Sequence, residues 1–138
     1  MDQAANSQAS AGADLSKVKI LVVDDHESMR LIISTMLRAF GFNLLAEASD
    51  GDDALRKVAA FEPDLIITDL RMPGKGGLEL VEALRAGGED APRVPVIMVT
   101  GHASESVIRA ALAAGTDQFL AKPITGRHLA ERIRRLAA

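Results

Sequence analysis

Apolar positions along the chain follow two alternating rhythms. Val18-Lys19-Ile20-Leu21-Val22-Val23 is a short apolar run rich in β-branched residues, and it stops abruptly at Asp24-Asp25. Such a run fits a strand buried on both faces. Met29, Ile32, Ile33, Met36, Leu37 and Phe40 then recur at helical spacing, with Gly41 placed to end the helix. The alternation continues with a strand over Asn43–Ala48, then Asp50-Gly51 and a helix holding Ala54, Leu55 and Val58. After Pro63, Leu65-Ile66-Ile67-Thr68 runs into Asp69, and the loop Arg71-Met72-Pro73-Gly74-Lys75-Gly76-Gly77 leads to a helix with Leu78, Leu80, Val81 and Leu84. Val94–Val99 is a fourth strand ending at Thr100-Gly101, and Val107, Ile108, Ala111 and Leu112 mark its helix, closed by Gly115. Gln118-Phe119-Leu120-Ala121 is a short fifth strand ending at Lys122-Pro123, and Leu129, Ile133 and Leu136 stripe the last helix. Five strand–helix units in succession predict an α/β fold, a parallel sheet with helices on both faces. Ligands of such sheets bind at the carboxyl ends of the strands, near the point where strand order reverses.

Composition narrows the class. The 138 residues suffice for one domain and not two. Residues 1–16, rich in Ala, Gln, Ser and Asn, read as a flexible leader, and residues 17–138 as the folded domain. Sixteen Lys and Arg against nineteen Asp and Glu leave a net charge of -3, and the only aromatics are four Phe. Neither bulk charge nor stacking platforms favour direct nucleic-acid binding. With no cysteine, disulfides, thiolate zinc sites and cysteine nucleophiles are excluded. No apolar run approaches the ~20 residues of a membrane span, and the first residues lack a secretory pattern. The expectation is a cytoplasmic domain without membrane insertion.

What stands at each strand's carboxyl end is informative. Strand one ends in Asp24 and Asp25, strand three in Asp69, strand four in Thr100 and strand five in Lys122. Parallel strands put all these ends on one edge. If strands one, three, four and five are neighbours, three carboxylates, a hydroxyl and an ammonium converge. Carboxylates ~5 Å apart repel by roughly 3 kcal/mol per pair at an effective dielectric of ~20, so a cation or protons must intervene. An all-oxygen anionic pocket suits a hard divalent ion such as Mg²⁺, which pairs carboxylates with water and a phosphate oxygen. Lys122 and the metal can together neutralise a phosphoryl group, with the Thr100 hydroxyl donating to it. A carboxylate can itself accept the group as an aspartyl-phosphate, and Asp69 is the central candidate.

The set Asp24-Asp25, Asp69, Met72-Pro73-Gly74, Gly77, Thr100 and Lys122-Pro123 resembles that of a response-regulator receiver domain over about Val18–Leu136. The resemblance implies the flavodoxin-like, doubly wound five-stranded sheet in the order 2-1-3-4-5. It implies that Asp69 is the phosphoacceptor, that Asp25 and Asp69 bind Mg²⁺ directly and Asp24 through water, and that the Arg71 backbone carbonyl completes the protein ligands. Thr100 and Lys122 would contact the phosphoryl oxygens, and the Lys122-Pro123 peptide would be cis. Thr100 and Phe119 would form the switch, Phe119 swinging into the space that Thr100 leaves. Arg71 and His102 stand at positions that flank the path of a hydrolytic water in the family. Gly101 would leave the phosphodonor an open approach, and Lys75-Gly76 departs from the polar or acidic pair often found there.

The implied partners are a histidine kinase or a histidine phosphotransfer protein as donor, and a downstream protein target that reads the surface of the fourth helix, fifth strand and fifth helix. The domain is expected to act as a stand-alone or excised receiver, not an enzyme, and as a monomer or weak phosphorylation-dependent dimer. Two alternatives use the same residues: a small metal-dependent phosphatase or phosphotransferase, and a pseudo-receiver that binds partners through a silent pocket. The remaining features read plainly. Gly74-Lys75-Gly76-Gly77 lacks phosphate-loop spacing and reads as a flexible turn. Arg127, Arg132, Arg134 and Arg135 suit a helix C-terminus and a solvated face. His26 reads as a helix-starting residue.

Overall fold

Strands β1 (Lys19–Val23), β2 (Leu44–Ala48), β3 (Leu65–Asp69), β4 (Val96–Thr100) and β5 (Gln118–Ala121) are all parallel and stand in the order β2-β1-β3-β4-β5. The computed structural model describes residues 14–88, 93–101 and 104–137. The helices that join the strands are α1 (Glu27–Ala39), α2 (Gly51–Phe61), α3 (Gly77–Arg85), α4 (Glu105–Ala113) and α5 (Gly126–Ala137). Both the parallel sheet and the order implied by the family resemblance are present.

The near-continuous apolar runs of β1, β3 and β4 follow from their central places, where helices cover both faces. Side chains alternate between the two sides. Ile20, Val22, Ile67, Ile97 and Val99 meet Ile33 and Leu37 of α1 and Leu129 and Ile133 of α5. Leu21, Val23, Ile66, Val96 and Met98 meet Ala54 of α2, Leu80 and Val81 of α3 and Ala111 of α4. Burying each such aliphatic side chain stabilises the fold by about 1.5–3 kcal/mol before entropy is counted. The outer strands β2 and β5 are only partly covered.

Element ends differ slightly from the pattern-based expectation. β4 starts at Val96 and not Val94, because Pro95 cannot donate to the ladder; it ends at Thr100, so that side chain sits on the strand itself. Leu15–Lys17 form a short 3-10 turn capped by Asp14, and Leu15 packs against the core, so ordered chain reaches back into the segment read as a leader. Residues 1–13 of that segment lie outside the described residues. Gly41, at φ +98°, ends α1 in a left-handed conformation that a side chain disfavours.

Candidate functional site

The chain leaves β1 toward α1 on one face and β3 toward α3 on the other, so the two adjacent strand ends open a crevice at the point where the winding reverses. Asp24 stands on one side of it and Asp69 on the other. Asp24 is 1% exposed and Asp69 9%. Each carboxylate has one oxygen fixed by a backbone amide: Asp24 Oδ1 accepts from the His26 amide at 2.8 Å, and Asp69 Oδ1 from the Leu70 amide at 2.8 Å. Their other oxygens turn toward one ammonium. Lys122 Nζ lies 3.8 Å from Asp24 Oδ2 and 3.6 Å from Asp69 Oδ2.

Lys122 reaches this place because β5 pairs with β4 so that Ala121 lies opposite Thr100, and the Lys122 amide donates to the Thr100 carbonyl at 2.8 Å. The Lys122-Pro123 peptide is cis. Thr100 is buried at the end of β4, one strand over from Asp69. Burial pushes the Asp69 carboxyl above the ordinary carboxylate range; the Lys122 ammonium opposes that rise, the Asp24 charge adds to it, and the Leu70 amide works with the lysine.

Asp25 is more accessible, yet its Oδ1 is buried and accepts no hydrogen bond. His26 Nδ1 lies 3.2 Å from Oδ1 of both Asp24 and Asp25. His26 does sit at the N-cap of α1, but its side chain caps nothing and turns to the carboxylates instead. Asp24, Asp25 and His26 form a cluster able to hold a metal ion. A buried carboxylate oxygen that accepts no hydrogen bond, grouped with the Asp24 carboxylate, is what a hard divalent cation would satisfy, so the residues present fit Mg²⁺.

The loop after β3 is braced from below. Gly77 opens α3 with its amide on the Leu70 carbonyl at 3.0 Å, and any Cβ there would run into the Asp69 carbonyl and the Met98 sulfur. At the loop's far end the Gly51 amide donates to the Lys75 carbonyl at 2.8 Å, and Lys75 Nζ lies 3.7 Å from Asp52 Oδ1. The turn read as flexible is therefore docked on the start of α2. Arg71 is exposed on this loop, and Gly101 is exposed beside the aliphatic stem of Lys122. Phe119 is half-buried against the β1, β3 and β4 face that carries α2, α3 and α4. His102 lies outside the described residues.

One pair of residues at this edge escaped the sequence reading. Arg30 Nη1 donates to the Asp24 carbonyl at 2.7 Å, and its Nε to Glu47 Oε1 at 2.8 Å. Arg30 follows His26 by one helical turn, which puts it on the face of α1 toward the strand end; nothing in the pattern links it to Glu47.

Fold and site together define a doubly wound α/β domain with an acidic pocket, a lysine and a threonine at its switch point. Residues 20–134 match the family model described as the response regulator receiver domain, and the chain belongs to that family. It is 41% identical over 119 residues to the chemotaxis protein CheY of Pseudomonas aeruginosa, covering 86% of this chain and 95% of the relative. Identity to CheY-3 of Vibrio cholerae is 39% over 116 residues, covering 84% and 88%. Among solved structures, Vibrio cholerae CheY4 superposes with a TM-score of 0.78 at 32% identity, covering 86% of this chain and 97% of that one. The signal receiver domain of a histidine kinase from Syntrophus aciditrophicus gives 0.77 at 30% identity, covering 86% and 89%. Among the described residues, no helix is long and apolar enough to cross a membrane.

Proposed function

We propose that this receiver domain is a phosphorylation switch whose acceptor is Asp69. The phosphoryl group passes from an imidazole nitrogen of a histidine kinase or histidine phosphotransfer protein to a carboxylate oxygen of Asp69; the P–N bond breaks as the P–O bond forms. Asp24, Asp25, Asp69 and the Arg71 carbonyl would hold Mg²⁺, which when bound supplies charge neutralisation for the transferring oxygens. Lys122, already poised between Asp24 and Asp69, balances the rest of that charge, and Thr100 donates its hydroxyl to a phosphoryl oxygen. The observation that carries this reading is the convergence of the Asp24 and Asp69 carboxylates on Lys122 Nζ at 3.8 and 3.6 Å.

The phosphoryl group adds roughly -1.5 to -2 charges at the pocket. Drawing Thr100 and Lys122 toward it would shift an existing equilibrium and change what α4, β5 and α5 present to a downstream protein, with Phe119 moving alongside. Leu112 of α4 is 48% exposed, an apolar side chain open to contact with a partner. The output is a change of contacts, not turnover of a substrate, and the donor and target are proteins of the cytoplasm. Acetyl phosphate with Mg²⁺ should add one phosphate, read by intact mass, to the wild type and none to Asp69→Asn. Equal labelling of both would overturn the assignment.

A further inference from the structure

We propose that Arg30 is a positioning residue for the cation-binding end of β1, clamping the Asp24 backbone while Glu47 holds the guanidinium in place. The proposal rests on the reading of Asp24 and Asp25 as metal-holding carboxylates. Arg30 reaches over from α1, and its side chain is only 16% exposed. Nη1 donates to the Asp24 carbonyl at 2.7 Å and Nε to Glu47 Oε1 at 2.8 Å, so one rigid, planar group joins the exit of β1 to the neighbouring strand β2. The same turn is also held at the Asp24 amide, which donates to the Ala48 carbonyl of β2 at 3.1 Å. Asp24 is thus bound at its amide, at its carbonyl and at Oδ1, and only Oδ2 is left to face the centre of the pocket.

Glu47 gives the clamp its direction. A guanidinium so near a carboxylate cluster could fold onto the carboxylates and compete with a cation. The Glu47 carboxylate offsets its charge and keeps Nε on β2, leaving Nη1 for the backbone. Groups that orient metal-binding side chains from outside typically change metal affinity about 10–100-fold when removed. The signs separate two roles. A mere positive charge beside the carboxylates would weaken cation binding, so its loss would tighten it. A positioning role requires the loss to weaken it.

The test is Mg²⁺ titration of the unphosphorylated protein by calorimetry, repeated as melting temperature against Mg²⁺ concentration. Arg30→Ala should bind Mg²⁺ about tenfold more weakly than wild type. Arg30→Lys keeps the charge but cannot span both acceptors, so its affinity should fall between the two. Glu47→Gln should weaken binding by about threefold, because the released guanidinium turns to the carboxylates. Should Arg30→Ala fail to fold, Arg30→Lys carries the test, because it keeps the charge and a mere charge effect would leave its Mg²⁺ affinity unchanged. Unchanged or tightened Mg²⁺ affinity in the variants, with the wild type binding normally, overturns the clamp. No binding by the wild type itself overturns the metal reading beneath it.

Discussion

At the scale of single residues, Asp69 is a charge held where the fold resists it. Burial raises its carboxyl above the ordinary range, so the folded chain keeps a proton that the unfolded chain gives up. Between the ordinary and the raised value the folded state binds more protons, and stability falls as pH rises through that window. Above it the penalty is complete. Asp69→Asn should therefore melt above the wild type at pH 7 in a chelator, and the gap should close as pH drops into the ordinary carboxylate range. Mg²⁺ should narrow the gap by binding the wild type. Equal melting temperatures at pH 7 without metal would refute the account. Asp24, Asp25, Asp69, Thr100 and Lys122 could be picked out in the sequence because each follows directly on a strand run, and parallel strands end on one edge. Arg30 and Glu47 could not: they meet across 17 positions through side chains, and neither belongs to an apolar pattern.

The elements are held by polar joints as well as by their apolar faces. At the end of the sheet away from Asp69, Asp117 Oδ2 accepts from the Val96 amide at 2.8 Å and from Arg85 Nη2 at 3.1 Å, and Asp117 Oδ1 lies 2.7 Å from Arg93 Nη2. Arg85 also donates to the Val94 carbonyl at 2.8 Å and to the Gly115 carbonyl, tying the end of α3 to the segment before β4 and to the turn before β5. Arg85 and Asp117 are 18% and 15% exposed, so this is a largely buried pair. Asp117→Ala would strand an amide and a guanidinium, lowering the unfolding free energy in urea by about 3 kcal/mol. Mg²⁺ affinity should not change, since the joint lies at the opposite strand ends. The helices and strands it connects were readable from their periodicity. The joint was not, because a lone Asp in a turn carries no mark of the arginine 32 positions away.

For the whole molecule, burial grades the sheet from centre to edge. β1, β3 and β4 are covered on both faces, whereas β2 and β5 are partly open. Amides of the three central strands should exchange with solvent only through global unfolding, and those of β2 and β5 faster. Hydrogen exchange followed by mass spectrometry checks this, and a uniform rate across the sheet would contradict it. Acetyl phosphate should then alter exchange chiefly in α4, β5 and α5. Parallel strands and two helical layers were legible from the repeated units, but the order β2-β1-β3-β4-β5 was not. Every unit carries the same local pattern, so only the family resemblance chose among the possible orders.

Lys122 Nζ spans Asp24 Oδ2 and Asp69 Oδ2 at 3.8 and 3.6 Å. The chain thus carries its own counter-charge between the carboxylates of two adjacent strand ends. Taking that ammonium away would set the two ends against each other, so the lysine serves the fold as well as any chemistry at the pocket.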